Sequence, residues 1–267
     1  MPSSFFLANQ RAKKFINDEF YTQLKDIAAE LSHYTIPKDT FIYCPCDSEQ
    51  SNFVKYFADN EYTNVLYTAD DFRNHADIFA KRPLVITNPP FSELKTFIPL
   101  LFEYKCPFII VGNLSCIQYI DILPYLIEEK LLPGFTTISK FIAPTGESKH
   151  IGYAQWMFSL PHPIYHPFIP LVDKPITEYS YYDANDWKGN VIPPNSVPNI
   201  PKSNLIPEYD GIMGVPLSFF SKWNPQQFDI IGVAHKGNSS LDLFKAYIDG
   251  KQCFTKLLIR RKNNEQS

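Results

Sequence analysis

Short apolar runs alternate, along the first half of the chain, with segments whose apolar residues recur at helical spacing. Phe15, Phe20, Leu24, Ile27 and Leu31 predict a helix within residues 11–32, closed by Pro37. Thr40 to Cys44 predicts a strand, Pro45 to Ser51 a turn, Asn52 to Asn60 a helix and Asn64 to Thr68 a second strand. A short helix is expected over 72–80, a buried strand over Pro83 to Thr87 and a helix over Ser92 to Tyr104. The fully apolar Pro107 to Val111 predicts another strand, stopped by Gly112-Asn113, and residues 118–130 a further helix. Thr136 to Ile142 and Gly152 to Leu160 predict a strand pair. Strands alternating with helices argue for an α/β fold, a mostly parallel sheet covered on both faces with an antiparallel edge.

The pattern changes in the second half. Eleven of the 23 prolines fall between 161 and 216. Such density excludes regular helix or central strand and predicts an extended, aromatic-rich linker or wrapping segment. Apolar patterning resumes at Ile212 to Phe220, Phe228 to Val233 and Thr255 to Ile259, with no internal repeat. The expected division is a cofactor-binding and catalytic unit over 1–164 and a Pro-rich linker with a target-recognition region over 165–267.

Composition narrows the class. In 267 residues, 45% hydrophobic content is enough for a real core, and no apolar run reaches membrane-spanning length. Met1 to Lys14 lacks a signal-peptide apolar core, so the expected location is cytoplasmic. Cys44, Cys46, Cys106, Cys116 and Cys253 form no zinc pattern and read as reduced thiols, with no metal. Net charge is −3, but residues 190–267 carry nine basic and six acidic side chains. That basic tail, ending Arg260-Arg261-Lys262, suits either phosphate contact or a solvated terminal strand.

Chemistry concentrates in Asn88-Pro89-Pro90-Phe91, directly after the buried strand. An exocyclic amine on a purine has its lone pair delocalised into the ring. Two acceptors aimed at its N–H bonds, the Asn88 side-chain carbonyl and the Pro89 backbone carbonyl, can pull it toward a tetrahedral, nucleophilic geometry. Consecutive prolines hold the loop rigid. Phe91 offers a stacking face worth roughly 1–3 kcal/mol per base. The plain alternative is that Asn-Pro-Pro merely ends a strand.

Further segments join this loop in a longer pattern. They are Asn17-Asp-Glu-Phe-Tyr-Thr-Gln23, Tyr43-Cys-Pro-Cys-Asp47, Ser51-Asn-Phe-Val-Lys-Tyr-Phe57, Thr87 to Ser92 and Ile110-Val-Gly-Asn113. Tyr209-Asp-Gly-Ile-Met-Gly-Val-Pro216, Trp223-Asn-Pro-Gln-Gln-Phe228 and the closing Leu-Leu-Ile-Arg-Arg-Lys complete it. Together they resemble the EcoRI-type adenine-specific DNA methyltransferases over most of the chain. The resemblance implies a Rossmann-like methyltransferase fold and methyl transfer from S-adenosylmethionine to N6 of adenine at a specific duplex DNA sequence. It also implies the modification role of a restriction-modification system, a partner endonuclease encoded nearby without a stable complex, and no membrane. It assigns Asn88, Pro89, Pro90 and Phe91 to catalysis. Phe20, Tyr21 and Thr22, the turn Cys44, Pro45, Cys46 and Asp47, and Asp71 with Phe72 are assigned to the cofactor. Asp71 and Asp70 equally suit helix caps.

The chain departs from that pattern twice. It has no glycine before Gly112, so Cys-Pro-Cys-Asp stands where a Gly-rich turn is usual. Thr68 follows Tyr62 by only six positions, and 16 residues separate Asp71 from Asn88, so the region that usually supplies the ribose-binding acid is shortened. Three alternatives stay open: an RNA-adenine methyltransferase, a protein-glutamine methyltransferase, or a DNA-binding protein with a vestigial pocket.

Overall fold

The computed structural model describes residues 21–138, 140–142, 146–150, 152–160, 164–182, 197–234, 242–244 and 247–262. Two compact units emerge. The first draws on the chain up to Asn113 and on Gly134–Pro161, the second on Leu114–Pro133 and His162–Ser267.

Chain order in the first unit begins with β1 (Tyr21–Thr22), α1 (Leu24–Leu31), β2 (Ile42–Pro45), α2 (Asn52–Asp59) and β3 (Val65–Thr68). It continues with α3 (Ala76–Phe79), β4 (Leu84–Thr87), α4 (Leu94–Glu103) and β5 (Phe108–Asn113). After an excursion into the second unit come β6 (Leu132–Thr137), β7 (Lys140–Ile142), β8 (Ser148–His150) and β9 (Ala154–Ser159).

The main sheet has the order β3-β2-β4-β5-β9-β6. β2 pairs in parallel with β3 and β4, β4 in parallel with β5, and β5 antiparallel with β9. Burial follows position: β2 and β4 are buried at every residue, whereas β3, at the edge, is half exposed. The helices cover the sheet with stripes at three- and four-residue spacing: Ile27 and Leu31 of α1, Phe53 and Phe57 of α2, and Leu94, Phe97, Ile98 and Leu101 of α4. The Ser51 side chain caps α2 by accepting the Phe53 N–H.

Several boundaries differ from expectation. The strand predicted over Thr136 to Ile142 divides: β6 ends at Thr137, and β7 joins a separate sheet of order β1-β7-β8. Tyr21-Thr22 supplies the partner that draws Phe141 and Ile142 out of the large sheet. The helix expected over 72–80 becomes a 3₁₀ turn at Phe72–Asn74 followed by α3. In place of a helix over 118–130 stand a 3₁₀ turn at Leu114–Gln118 and the five-residue α5 (Leu123–Ile127). Residues 1–20, and with them the start of the first predicted helix, lie outside the described residues.

The second unit holds β10 (Ile212–Pro216), β11 (Phe228–Ala234), β12 (Asp242–Phe244), β13 (Tyr247–Ile248), β14 (Lys251–Gln252) and β15 (Lys256–Arg261). The sheet order is β10-β15-β11-β12, with β15 central and antiparallel to β10 and β11. Leu257, Leu258 and Ile259 are buried. The described parts of the Pro-rich segment are held in this unit by isolated bridges, Val172 with Pro207, Tyr181 with Pro198 and Asn199 with Gly214, and by side chains. Gln227 accepts the Ile169 N–H at 2.7 Å and donates to the Ile169 carbonyl at 2.8 Å, as a neighbouring strand would. Asn224 donates to the His166 carbonyl. Trp223 Nε1 donates to the Phe228 carbonyl at 2.7 Å. The Trp223 to Phe228 motif is thus a clasp for the proline-rich strap, built from buried polar groups that are all hydrogen-bonded.

Candidate active site

The chain order β2, β3, β4, β5 against the spatial order β3-β2-β4-β5 reverses direction between β2 and β4. In an open parallel sheet, ligands bind outside the carboxyl ends of strands at such a switch point. The segments leaving those two ends are Pro45-Cys46-Asp47 and Asn88-Pro89-Pro90-Phe91.

The turn after β2 solves the missing-glycine problem with a cysteine. Cys46 sits at φ 67°, in the left-handed region. An L-residue there costs about 1–2 kcal/mol relative to glycine. Cys46→Val should therefore lower stability in urea unfolding by about 1–2 kcal/mol, because branching at Cβ worsens that conformation, while Cys46→Gly stays within about 1 kcal/mol of the parent. Burial raises the thiols of both Cys44 and Cys46, which makes them inert. No group of residues suited to a metal ion occurs among the described residues.

Asp47 is buried, and its N–H donates to the Thr68 carbonyl at 3.1 Å, tying the turn to the end of β3. Its carboxyl meets Ser51 Oγ at 2.5 Å and Thr87 Oγ1 at 2.6 Å. Burial pushes this carboxyl up to about 7, against the two hydroxyl contacts that pull it down. The folded chain then holds the proton more tightly than the unfolded chain. The resulting stability is fully present below the ordinary value of 3.8 and is lost as pH rises through about 7. Unfolding free energies measured across that window should fall with pH, and Asp47→Asn should flatten the slope.

In the loop after β4, Pro89 and Pro90 are buried and Asn88 and Phe91 half-buried. The Pro90 carbonyl accepts the Glu93 N–H at 2.9 Å, opening a 3₁₀ turn at Phe91–Glu93. The Pro89 carbonyl has no such backbone partner among the described residues. Asn88 Oδ1 is a buried oxygen that receives no hydrogen bond there, although the residue makes other interactions. Phe91 packs edge-on against Phe141, with ring centroids 6.2 Å apart.

Phe141 connects this loop to Tyr21-Thr22, because Thr22 pairs with it across β1 and β7. Thr22 is buried, its carbonyl accepts from Asn52 Nδ2 at 2.8 Å, and its hydroxyl is buried without a hydrogen-bond partner among the described residues. Tyr21 is exposed. Phe20 lies outside the described residues. Sequence reasoning missed Phe141, since one apolar residue in a three-residue strand carries no signal of its own.

The acids after β3 are engaged. Asp71 accepts the Arg73 N–H as a cap at 3.0 Å and both its oxygens meet Arg73 Nη1 at 2.9 Å. Arg73 also pairs with Glu93, beyond the Asn88 loop. Asp70 meets His75 Nε2 at 2.6 Å, a contact that lowers the Asp70 carboxyl. Phe72 is buried edge-on against Phe97, with the Arg73 guanidinium 4.6 Å over its ring. The helix-cap role of Asp71 is therefore observed, and its carboxylate already has a cation.

In the second unit the basic and aromatic side chains suited to phosphate contact or base stacking fall into separate groups. Arg261 pairs with Glu208 and Asp210, and Lys262 with Glu129 and Asp229. Arg260 lies 3.8 Å from Asp229. Lys222 borders a cleft of about 430 Å³ lined also by His166, Phe168, Ser203 and Asn204. Tyr179 and Tyr182 are buried packing residues, and Lys202 is exposed. Lys236 and Trp187 lie outside the described residues. No described helix is long and apolar enough to cross a membrane.

Comparison with known proteins identifies the family. The family described as "Adenine-specific methyltransferase EcoRI" matches residues 8–66, 61–154 and 156–266. The first two stretches overlap at 61–66, close to the short connection between Tyr62 and Thr68. The chain is 29% identical to "Type II methyltransferase M.EcoRI" of Escherichia coli, covering 94% of this chain and 95% of the relative. It is 25% identical to "Type II methyltransferase M.MgeORF184P" of Mycoplasma genitalium, covering 94% and 98%. It is 26% identical to "Type II methyltransferase M.MpnI" of Mycoplasma pneumoniae, covering 95% and 98%. With the match running nearly end to end and the Asn-Pro-Pro-Phe loop at the switch point of a mostly parallel sheet, the chain belongs to the EcoRI family of adenine-specific methyltransferases.

Proposed function

We propose that this adenine-specific methyltransferase takes its methyl group from S-adenosylmethionine. The acceptor is N6 of adenine within a specific duplex DNA sequence, in the modification role of a cytoplasmic restriction-modification system. A cognate endonuclease would act separately. The observation that carries the reading is the placement of Asn88-Pro89-Pro90-Phe91 beside the Pro45–Asp47 turn, at the strand ends that flank the switch point.

The residues present suit the cofactor. The buried Thr22 hydroxyl is an orphaned polar atom, and the Asp47 carboxyl offers an acceptor for an ammonium group. The reading gives the backbone approach to Cys44, Pro45 and Cys46 and the adenosine side to Tyr21, Asp71 and Phe72; Phe20, which the resemblance also assigns there, lies outside the described residues. When bound, S-adenosylmethionine supplies a methyl group already activated on a sulfonium. The protein's share is positioning and electrostatics. The target adenine leaves the helix stack at a cost of a few kcal/mol. Phe91 stacks on the extruded ring, and the Asn88 side-chain carbonyl and the Pro89 carbonyl accept from its amine. Pro90 holds the turn that fixes both acceptors. Target recognition falls to residues 165–267, with Lys222 and Lys202 as phosphate contacts.

Isothermal titration of the full chain with S-adenosylmethionine tests the cofactor half of this reading. One site per chain is expected, retained in Asn88→Ala and weakened in Asp47→Ala. Absence of binding to the parent protein would leave only the DNA-binding reading with a vestigial pocket.

A further inference from the structure

Thr87 is the last residue of β4, fully buried, one peptide bond before Asn88. Its hydroxyl lies 2.5 Å from the Pro45 carbonyl oxygen and 2.6 Å from Asp47 Oδ2. A hydroxyl carries one hydrogen, while a carbonyl oxygen and an ionised carboxylate carry none. Two oxygen pairs this close need two hydrogens, and the second has to come from the Asp47 carboxyl itself. The chain then runs from Asp47 Oδ2–H to Thr87 Oγ1, and from Thr87 O–H to the Pro45 carbonyl. The other carboxyl oxygen agrees: Oδ1 accepts from Ser51 Oγ, whose own lone pair accepts the Phe53 N–H at 3.1 Å.

We propose that Thr87 is a positioning residue for Asn88 that responds to whether Asp47 carries a proton. With Asp47 neutral, Thr87 donates to Pro45 and ties the end of β4 to the end of β2. When Asp47 gives its proton to solvent, the carboxylate takes the single Thr87 hydrogen and the tie to Pro45 is lost. That tie matters because the register of β2 and β4 runs only from Ile42 opposite Leu84 to Tyr43 opposite Val85. Past that register the Thr87 hydroxyl adds a side-chain link between the two strand ends.

The surroundings support an acid that titrates near neutrality. Burial acts on Asp47 in one direction and the hydroxyls of Ser51 and Thr87 in the other, placing it at about 7. Cys44 and Cys46 on its own strand end are held as neutral thiols by burial. From beyond β3, Asp70, Asp71 and Arg73 reach Cys46, with signs that oppose one another. Resting on the cofactor reading above, the consequence is that binding a cationic ligand beside Asp47 expels the proton, so cofactor capture and the setting of Asn88 are coupled.

Two measurements on the full chain test this. Infrared spectra of the free protein should show a protonated-carboxyl band above about pH 5, where ordinary carboxylates are charged. The band should be absent in Asp47→Asn and should fade with a midpoint near 7. Steady-state kinetics should show Thr87→Val lowering kcat by roughly ten- to a hundredfold, with a smaller change in cofactor KM, and Thr87→Ser restoring most of it. Absence of the Asp47 band above about pH 5 would overturn the proposal, as would parent-like kcat in Thr87→Val. The infrared titration decides the matter without cofactor, so failure to bind S-adenosylmethionine would sink the functional reading and leave this test standing.

Discussion

Asn88→Ala should lower turnover by at least about a thousandfold while leaving the fold and cofactor affinity near parent values. The magnitude follows from the role. Loss of one preorganised group at a reacting centre typically costs about 10²–10³ in kcat. Here the lost carbonyl both orients the amine and draws its lone pair out of conjugation. Asn88 is only half-buried and lies in a loop whose shape is set by Pro89, Pro90 and the Glu93-to-Pro90 hydrogen bond, none of which the substitution touches. Unfolding midpoint, S-adenosylmethionine titration and single-turnover methylation on the same preparation separate the two effects. Activity within tenfold of the parent would remove Asn88 from the chemistry.

The largest effect on stability should come from Glu30, which belongs neither to the Asn88 loop nor to the Pro45–Asp47 turn. This carboxylate in α1 is 0% exposed. It accepts the Thr136 N–H at 2.7 Å, the Thr136 hydroxyl at 2.7 Å, the Phe135 N–H at 3.0 Å and the Tyr34 hydroxyl at 2.7 Å. It therefore fastens α1 to the edge strand β6, and Gly134 makes room for it: a Cβ there would fall 2.3 Å from Glu30 Oε1. Removing it strands two backbone donors and two hydroxyls around a side chain that is itself fully buried, on residues that are buried or half-buried. Each stranded donor costs about 1–3 kcal/mol, so Glu30→Ala should lose about 3–5 kcal/mol after partial relaxation. Against a total of about 5–15 kcal/mol, such a variant is near the limit of folding at 37 °C. Glu30→Gln, which keeps one oxygen acceptor, should lose roughly half as much. Urea unfolding reads both, and a loss below about 1 kcal/mol in Glu30→Ala would contradict the fastening role.

Glu30 also shows where the sequence stops being informative. A glutamate in an amphipathic helix ordinarily faces water, and nothing near position 30 announces a strand edge with backbone donors waiting for it. The parallel core is the opposite case. Ile42 to Pro45, Leu84 to Thr87 and Phe108 to Val111 are short apolar runs bounded by turn residues, so their buried character reads directly from composition. Asn88-Pro89-Pro90-Phe91 stands out from the sequence as a candidate site in the same direct way, since only a few chemistries call for those residue types at a strand end. Cys46 lies between these cases. The missing glycine was visible, but not that a cysteine would adopt the left-handed turn in its place.

The C-terminal basic run carried two readings. β15 places Arg261 between Glu208 and Asp210, and Lys262 beside Glu129 and Asp229, pairings that come from distant parts of the chain. Local charge counts hold no record of such partners. The Trp223 to Phe228 segment, one piece of the family pattern, has a physical reason to exist in the clasp that Asn224 and Gln227 form on the proline-rich strap.

The central claim is a reaction, and the most direct measurement is of its product. Purified protein, isotopically labelled S-adenosylmethionine and unmethylated genomic DNA are incubated together, and the DNA is digested to nucleosides for mass spectrometry. Labelled N6-methyladenine is expected, confined to one short sequence when the modified sites are mapped, and none with Asn88→Ala. Label on another base, on RNA or protein in preference to DNA, or no label despite confirmed cofactor binding, would contradict the claim.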